Sequence, residues 1–214
     1  MKISNLLFGA NIKIPERHED GTYELADYTV GCYNNFGINT VGLVRKDIHS
    51  MCWFGDSVEY PASDLDKRMA EIFDSYPDEL QDMIVDVEIP LYCVEANPIE
   101  ITRSVFAPTL TMVGDGDNHG VDEGFAWPIF TGRHSRKKAI NGVERSWWLS
   151  SQASSDNAWN VDADDGSADY DFPSYSFGVV PAFVLPQSVQ IDYLTDNDGS
   201  YRLTELTACY SVAG

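Results

Sequence analysis

Apolar and polar positions alternate with a period near two in three short stretches of the N-terminal third of the chain. This period is typical of half-buried strands and predicts strands at 12–14, 23–30 and 41–44. The turn-forming residues at 34–37 join the last two strands into a hairpin with a bulged or long loop. The charged segment 16–20 is expected to be a loop.

The region 63–88 has helical spacing instead and predicts two helices, at 63–75 and 76–88. Ser63, with an acidic residue three positions later, fits an N-cap, and Pro77 suits the first turn of the second helix. The apolar stripes expected to face the core are Leu65, Met69, Ile72 and Phe73 in the first helix, and Leu80, Met83, Ile84 and Val87 in the second.

Helical periodicity ends near Pro90, and the rest of the chain predicts short strands and polar loops. Trp147 and Trp148 are adjacent, so on a strand they point to opposite faces, and at least one is expected in the core. The predicted strands are 105–113, 147–149, 158–161, 170–172, a run at 177–185 interrupted by Pro181, and a hairpin of 189–194 with 201–206; the predicted loops include 114–124 and 150–157.

The composition is that of one folded domain with an appendage. The 214 residues are 43% hydrophobic and include 5 Trp, 11 Tyr and 10 Phe, and a chain of this size buries roughly 70% of its unfolded surface. Residues 1–14 hold only a short, interrupted apolar run, which does not fit a signal peptide, and no apolar run is long enough for a membrane span. We therefore expect synthesis in the cytosol and no membrane partner.

The charge narrows the range of partners. The formal net charge is −20, and residues 146–214 contain ten acidic side chains against one basic side chain, Arg202. Nucleic-acid binding requires a basic surface, so no nucleic-acid partner is expected. The basic cluster of Arg133, His134, Arg136, Lys137 and Lys138 is expected to be a solvated loop. The negative C-terminal part favours a cation, a neutral glycan or a basic protein surface as partner.

Three acidic turns are candidate cation sites. None has the spacing of an EF-hand calcium loop, and acidic residues beside glycine also form turns without any ion. Turn formation is therefore the favoured interpretation, and neither a metal nor another cofactor is expected. The turns comprise Asp115, Asp117, Asp122 and Glu123; Asp162, Asp164, Asp165, Asp169 and Asp171; and Asp196 with Asp198.

The sequence contains no familiar catalytic motif. It has no G-x-S-x-G, no H-E-x-x-H, no P-loop and no dinucleotide-binding fingerprint. Its four cysteines, Cys32, Cys52, Cys93 and Cys209, form no C-x-x-C pair and are expected to be buried small apolar residues. We therefore predict a protein that is not an enzyme.

Aromatic residues are concentrated between positions 147 and 177, among Gly, Ser, Asp and Asn. Aromatic side chains in such loops make contacts to sugars and protein surfaces, whereas core packing is the alternative. Trp159, Tyr170 and Tyr175 are the candidate surface contacts, and Asp162 and Asp164 are the candidate polar contacts beside them.

Two late segments resemble motifs of a known family. WWLSS at 147–151 is followed by GVVPAFVL at 178–185. The pair is similar to the closing motifs, (Y/W)WLRS and GVRPAF, of an uncharacterised domain family of bacteriophages and Gram-positive bacteria. The opening at 2–14, the turn at 21–22 and Arg136 also fit. Ser150 and Val180 stand where the family has arginine.

The resemblance implies the fold shared by formylglycine-generating enzymes and C-type-lectin-like domains, including phage tropism determinants. That fold is α+β, with two helices on a twisted, mostly antiparallel sheet and long loops. The implied lectin-like domain covers 1–186, and 187–214 form a C-terminal β-hairpin appendage. Formylglycine-generating activity is not implied, because it depends on a late cysteine arrangement and Cys209 is the only cysteine after Cys93.

This resemblance favours a bacteriophage virion structural protein, an accessory head or tail component located in the virion. Its expected partners are other virion proteins, in a homo-oligomer or bound to the capsid or tail. The alternative is a carbohydrate- or host-surface-binding adhesin module at a tail or fibre tip, with a host-surface glycan as partner. An enzyme of the formylglycine-generating type or a glycosidase would require a metal or a pocket of converging carboxylates.

The appendage is expected to mediate assembly. A two-stranded hairpin alone is marginally stable, so its apolar face must be covered by its own domain or by a neighbouring subunit. We favour the neighbouring subunit, with Ile191, Tyr193, Tyr201 and Leu203 as the contact residues.

Overall fold

Two large β-sheets, two two-stranded sheets and one long helix are present in a computed structural model that describes residues 1–18, 20–94, 98–193 and 197–211. The sheets are mostly antiparallel, which confirms the predicted α+β class. The strands are β1 (Asn11–Arg17), β2 (Tyr23–Tyr33), β3 (Thr40–Arg45), β4 (Ser50–Trp53), β5 (Val87–Leu91), β6 (Ile99–Arg103), β7 (Val105–Phe106), β8 (Ala139–Ile140), β9 (Val143–Glu144), β10 (Trp147–Gln152), β11 (Ala158–Val161), β12 (Ala168–Asp171), β13 (Ser176–Val179), β14 (Ala182–Pro186) and β15 (Tyr201–Arg202).

The helices are α1 (Asp64–Ser75) and three short ones, α2 (Asp78–Gln81), α3 (Arg133–Arg136) and α4 (Thr207–Tyr210). Single 3-10 turns lie at Ile3–Asn5, Tyr60–Ala62 and Thr204–Leu206. In the part of the chain that the structure describes, no helix reaches the length and apolarity needed to cross a bilayer.

The six-stranded sheet has the order β15-β1-β2-β3-β14-β7. Strands β2 and β3 form the predicted hairpin, with a register shift between Val30 and Cys32. Only the β1–β15 pair is parallel among the pairs of this sheet that the structure describes. The inward positions of β2, β3 and β14 are fully buried and form the centre of the core.

The five-stranded sheet has the order β12-β11-β10-β13-β4. The predicted break at Pro181 is confirmed: β13 belongs to this sheet and β14 to the six-stranded one, so the run 176–186 joins both sheets. The strands predicted at 158–161 and 170–172 are found as β11 and β12, which pair with each other in antiparallel fashion.

Trp147 and Trp148 are both fully buried. The sequence predicted that at least one of them lies in the core. Each indole N–H has a backbone acceptor: Trp147 Nε1 donates to the Arg136 carbonyl at 3.0 Å and Trp148 Nε1 to the Cys52 carbonyl at 3.2 Å. Because both polar atoms are satisfied, strand β10 can be covered on both of its faces.

Helix α1 confirms the first predicted helix. The Ser63 hydroxyl accepts a hydrogen bond from the Asp66 amide at 3.0 Å, as an N-cap does. The Asp66 carboxylate does not complete a capping box but pairs with Arg103 at 2.6 Å. On the predicted apolar face Leu65, Met69 and Ile72 are buried, whereas Phe73 is half-buried.

The second predicted helix, 76–88, is wrong beyond its first turn. Helix α2 ends at Gln81, and the following residues enter strand β5. Val87, Ile89 and Leu91 are buried with a period of two, which fits a strand better than the helical stripe assigned to Val87. Pro90, which has no backbone N–H to donate, lies inside β5, an edge strand of a two-stranded sheet, where proline is tolerated.

Three further element predictions fail where polar or turn residues are buried. The strand expected at 105–113 ends at Phe106 and continues as a buried turn. The polar loop expected at 150–157 begins three residues late, because Ser150, Ser151 and Gln152 form the buried end of β10. The loop expected at 16–20 begins inside β1, because Glu16 is buried and bonded to Arg45.

The expected C-terminal hairpin is present only as a single bridge between Ile191 and Leu203. After β15 the chain turns into helix α4 instead of continuing as a strand to 206. Ile191 and Leu203 are buried in the core of this same chain, so their predicted intersubunit contact is wrong. Strand β1 offers an edge on which β15 pairs, and this pairing covers the apolar face within the chain.

The other two predicted assembly residues remain accessible. Tyr201 is half-buried in β15 and Tyr193 is 79% exposed. Leu194 and Asp196, which the hairpin prediction also includes, lie outside the described residues.

The basic cluster at 133–138 was predicted to be a solvated loop, and this is wrong for two of its side chains. Arg136 is buried and pairs with Asp115 at 2.7 Å. Lys138 is also buried, and its Nζ donates to the carbonyl oxygens of Arg45 and Lys46. Burial lowers the pKa of Lys138 to about 7, against the opposing field of Asp47.

The free energy of unfolding should therefore rise with pH above 7, because the pKa of Lys138 is lower in the folded than in the unfolded chain. Between pH 7 and the ordinary lysine pKa of 10.5 the unfolded chain binds a proton that the folded chain lacks, so each pH unit adds up to about 1.4 kcal/mol. We expect urea denaturation from pH 7.5 to 8.5 to give a free energy of unfolding that rises by about 1 kcal/mol more in the native protein than in Lys138→Met. Parallel pH profiles for the two proteins would contradict the assignment.

Two of the four free cysteines differ from expectation. Cys32 and Cys209 are buried as predicted, whereas Cys52 and Cys93 are half-buried. Burial raises the pKa of Cys52 to about 11, so its thiolate is scarce at neutral pH.

Candidate functional site

A cleft of about 510 Å³ lies where three loops meet, each following a strand of the five-stranded sheet. Its walls come from 56–59 after β4, from Gln152 and 155–156 at the end of β10, and from 172–174 after β12, together with Cys93. A volume of this size suits a small-molecule ligand.

A smaller recess of about 150 Å³ adjoins this cleft. The two cavities share Glu59, Cys93 and Gln152 in their walls. The remaining walls of the recess are mostly apolar. They are formed by Tyr60, Pro61, Leu91, Tyr92, Ile99 and Ser150.

The loop 54–59 is fixed to its neighbours at its start. Phe54 N donates to the Pro173 carbonyl at 2.9 Å, and Leu65 N donates to the Phe54 carbonyl at 3.1 Å. Gly55 has a φ of +151° and lies against helix α1, where an added Cβ would approach the Asp64 amide nitrogen to 3.0 Å. This wall of the cleft is thereby attached both to α1 and to the opposite wall at Pro173.

Two buried side chains position Cys93 between the cavities. Glu123 is fully buried, and its carboxylate accepts hydrogen bonds from Tyr92 N at 2.8 Å, from Asn118 Nδ2 at 3.2 Å and from the Ser151 hydroxyl. Gln152 Oε1 accepts one from Val94 N at 3.2 Å. The backbone on both sides of Cys93 is thus held by side chains of the loop 114–124 and of β10.

Burial raises the pKa of Glu123, although the hydrogen bonds from Ser151, Tyr92 and Asn118 oppose that shift. The group is enclosed by donors from three segments. It therefore serves to hold the cleft wall rather than to meet a ligand.

A series of aromatic rings leads from the core to the rim of the cleft. Trp148 packs on Phe177 at 4.6 Å between ring centroids, Phe177 on Tyr175 at 6.1 Å, and Tyr175 on Phe172 at 6.3 Å. Phe172 is 55% exposed and Tyr175 is 48% exposed. Because each ring packs on the next, the two exposed rings are held in place without a ligand.

The candidate contact residues do not form one site. Tyr175 belongs to the pair at the cleft, whereas Trp159 and Tyr170 form a separate edge-to-face pair with centroids 5.6 Å apart. Trp159 is half-buried, and its Nε1 donates to Asn118 Oδ1 at 3.1 Å; Tyr170 is exposed.

Asp162 and Asp164 lie in the turn between β11 and β12. Asp162 is half-buried, and its Oδ1 accepts a hydrogen bond from the Asp164 amide at 2.7 Å, whereas the Asp164 side chain is exposed. This is the bonding of a turn-forming aspartate.

The acidic turns do not converge on a cation in the described ranges, where no group of three or more His, Cys, Asp or Glu could hold a metal ion. Asp115 is paired with Arg136 at 2.7 Å, and Asp198 with Lys13 at 2.6 Å. Asp196 lies outside the described residues.

Sequence reasoning missed the cleft itself. Asp56, Glu59, Cys93 and Phe172 are spread over more than half of the chain and share no motif. Phe172 stands in the aromatic-rich segment, so composition gave a signal for that wall alone.

The cleft is suited to a neutral or cationic, hydrogen-bonding ligand with an apolar face. Among its described lining residues there are three carboxylates, Asp56, Glu59 and Asp156, and no Lys or Arg. The carboxylates accept hydrogen bonds from hydroxyl groups and repel anions. The exposed rings offer flat apolar surface beside them.

No curated protein and no solved structure matches the chain. A family model matches residues 39–187, a range that contains both the cleft loops and the two exposed rings at its rim. The match covers well over half of the chain, and the protein therefore belongs to the family described as a domain of unknown function (DUF6273).

Proposed function

We propose that this protein is a non-catalytic, carbohydrate-binding component of a bacteriophage particle. The observation that carries the proposal is the half-exposed ring of Phe172 in the wall of a cleft lined by carboxylates, with the exposed ring of Tyr175 packed on it. Rings of this kind stack on the C–H faces of sugars, while carboxylate, amide and hydroxyl groups bind sugar hydroxyls.

The exposure of these rings supports a binding role over a packing role. Phe177 and Trp148 already supply the aromatic packing beneath them. A half-exposed Phe172 adds little to the core, since the gain from burial scales with the area removed from water. Its apolar surface instead becomes buried when a ligand occupies the cleft.

The charge supports a neutral glycan over an anionic polymer. Asp56, Glu59 and Asp156 line the cleft, and the whole chain has a net charge of −20. An anionic ligand would be repelled both at long range and inside the cleft.

The proposal that the protein acts in a phage particle rests on the closing motifs at 147–151 and 178–185. These are similar to the motifs of a family found in phages and Gram-positive bacteria. A purely structural, accessory head or tail role is the second candidate. It is favoured by three strongly exposed apolar side chains outside the cleft, Leu7, Ile38 and Tyr193, which suit contacts with other virion proteins.

Removal of the two rim rings should weaken glycan binding about tenfold or more. Each ring contributes about 0.5–1.5 kcal/mol beyond area burial, and 1.4 kcal/mol corresponds to a factor of ten. Calorimetric titration with a panel of neutral oligosaccharides should show this loss for Phe172→Ala/Tyr175→Ala. Tyr193→Ala is the matched control, because it removes a 79% exposed ring that belongs neither to the cleft wall nor to the Phe172–Tyr175 pair.

Binding to host envelopes provides the second test of the same pair. The native protein and Tyr193→Ala should adsorb equally, and the double variant should not. Equal adsorption of all three proteins, or no glycan binding by any of them, would reject the carbohydrate-binding function and leave the structural one.

A further inference from the structure

We infer that the apolar recess beside the cleft receives the acetyl group of an N-acetylated amino sugar. This inference rests on the proposed function and names the class of sugar within it. It stands on the size of the recess, on its apolar walls and on the amide group at its junction with the cleft.

The recess has less than a third of the volume of the adjoining cleft, so the cleft suits a sugar ring and the recess suits a substituent of that ring. Its volume is about 150 Å³, against about 510 Å³ for the adjoining cleft. Pockets that enclose a whole small molecule measure about 300–1,000 Å³. A ligand that fills both cavities therefore has a ring-sized body and one short apolar branch.

The walls of the recess determine what that branch can be. Leu91, Tyr60, Pro61 and Ile99 form an apolar enclosure. A hydroxyl or an ammonium group placed there would lose hydration without regaining it from these side chains. A methyl group attached through a polar linker would instead replace water at an apolar surface.

The junction of the two cavities supplies partners for the linker. Gln152 lines both cavities, and its carboxamide bonds to Val94 N through Oε1 and to the Ser154 carbonyl through Nε2. A carboxamide oxygen has two lone pairs and its nitrogen two hydrogens, so each atom can make a second hydrogen bond. An acetamido group, with one N–H and one C=O, matches that pair of sites.

A competing occupant is the same sugar without its acetyl group. The carboxylates Asp56 and Asp156, which line the cleft but not the recess, would attract its ammonium. The apolar recess would then remain unfilled. Comparing the affinities of the two sugars therefore distinguishes a site that selects the acetyl group from one that selects positive charge.

The test is calorimetric titration of the full chain at pH 7.5 with three tetrasaccharides, made of N-acetylglucosamine, glucosamine or glucose. We expect the N-acetylglucosamine tetramer to bind at least tenfold tighter than the other two. Equal binding of all three would overturn the inference and leave glycan binding intact. Tighter binding of the glucosamine tetramer would also overturn it, and no binding of any would reject both proposals.

A variant that fills the recess checks the location. Ile99 is half-buried in the recess wall, and Ile99→Phe should abolish the preference for the acetylated sugar but keep the weaker binding of the glucose tetramer. Ile99→Val, which leaves the recess open, is the control. If Ile99→Phe retains the tenfold preference, the acetyl group does not bind there.

Protection of Cys93 gives a readout that is independent of affinity. Cys93 is half-buried and lines both cavities. In a Cys52→Ser background, where the other two cysteines are buried, saturating N-acetylglucosamine tetramer should slow alkylation of Cys93 at least fivefold. Saturating glucose tetramer should slow it less, and equal protection by both sugars would contradict occupation of the recess.

Discussion

Replacing Glu123 with alanine should lower the free energy of unfolding by about 3–5 kcal/mol. The substitution leaves Tyr92 N and the Ser151 hydroxyl without their acceptor and removes one of the two acceptors of Asn118 Nδ2, which still donates to the Gln152 carbonyl. Each unsatisfied buried donor costs about 1–3 kcal/mol, and the space left by the side chain adds a cavity cost. Urea denaturation at pH 7 measures the loss.

The matched control is Glu123→Gln. Its carboxamide oxygen can still accept from Tyr92 N and Asn118, and the Ser151 hydroxyl can rotate to accept from its NH₂ group. We expect a loss of about 1 kcal/mol in this variant, because the shape and most of the hydrogen bonds remain. Equal losses in the two variants would show that the carboxylate charge, and not the hydrogen-bond geometry, is what the site requires.

The effect of Glu123→Ala on binding follows from the same contacts. Tyr92 N is held by Glu123, and Tyr92 and Cys93 line the recess. If Glu123→Ala still folds at low temperature, it should therefore bind glycan more weakly than Glu123→Gln, although the side chain at position 123 does not touch the ligand.

The sequence correctly predicted those elements that depend on interactions between residues close together in the chain. Helix α1 begins at the N-cap Ser63 and keeps its apolar face, because both the cap and the spacing act within a few residues. The β2–β3 hairpin and the β11–β12 turn follow from their turn residues in the same way. These elements needed no knowledge of distant contacts.

Predictions failed where a polar side chain is buried with a distant partner. Ser151 reads as a loop residue but is buried against Glu123, which is 28 positions away in sequence. Lys138 reads as a solvated base but lies under the backbone of Arg45, 93 positions away. Polarity predicts exposure only when such a partner is missing, and one sequence does not reveal the partner.

The cleft could not be predicted for a related reason. Its walls join 56–59, Cys93, Gln152 and Phe172, which are far apart in sequence and are brought together by strands of the five-stranded sheet and by the segment after β5. Aromatic enrichment indicated that the segment around Tyr175 makes contacts, but not which rings point to solvent. That distinction depends on Phe177 and Trp148, which pack beneath the rim.

Glu16 is the second residue whose loss should have a large effect. Its carboxylate accepts two hydrogen bonds from Arg45, at 2.9 and 3.1 Å, and one from the Tyr28 hydroxyl at 2.9 Å. Tyr28 in turn lies 2.6 Å from the Tyr76 hydroxyl. The side chains of Glu16 and Arg45 are only 9% and 13% exposed, so solvent screens this pair little.

Glu16→Leu should therefore destabilise the protein by about 3–5 kcal/mol, because it leaves the Arg45 guanidinium buried without its carboxylate. Arg45→Met should have a similar effect, because it leaves the Glu16 carboxylate buried without the guanidinium. The double variant Glu16→Leu/Arg45→Met removes both charges and keeps apolar volume in their place. We expect it to recover most of the loss, since buried ion pairs can often be replaced by apolar residues of similar size.

The three proteins and the native one form a double-mutant cycle that isolates the pair. Arg45 also donates to the carbonyl oxygens of Asp47 at 3.1 Å and Ile48 at 2.9 Å. Those two acceptors stay unpaired in both proteins that lack Arg45, so their cost cancels in the coupling energy. A coupling above about 2 kcal/mol is expected for a charge pair that depends on mutual burial. Additive losses would instead show that each residue acts through its other contacts, Glu16 through Tyr28 and Arg45 through the carbonyls that it holds.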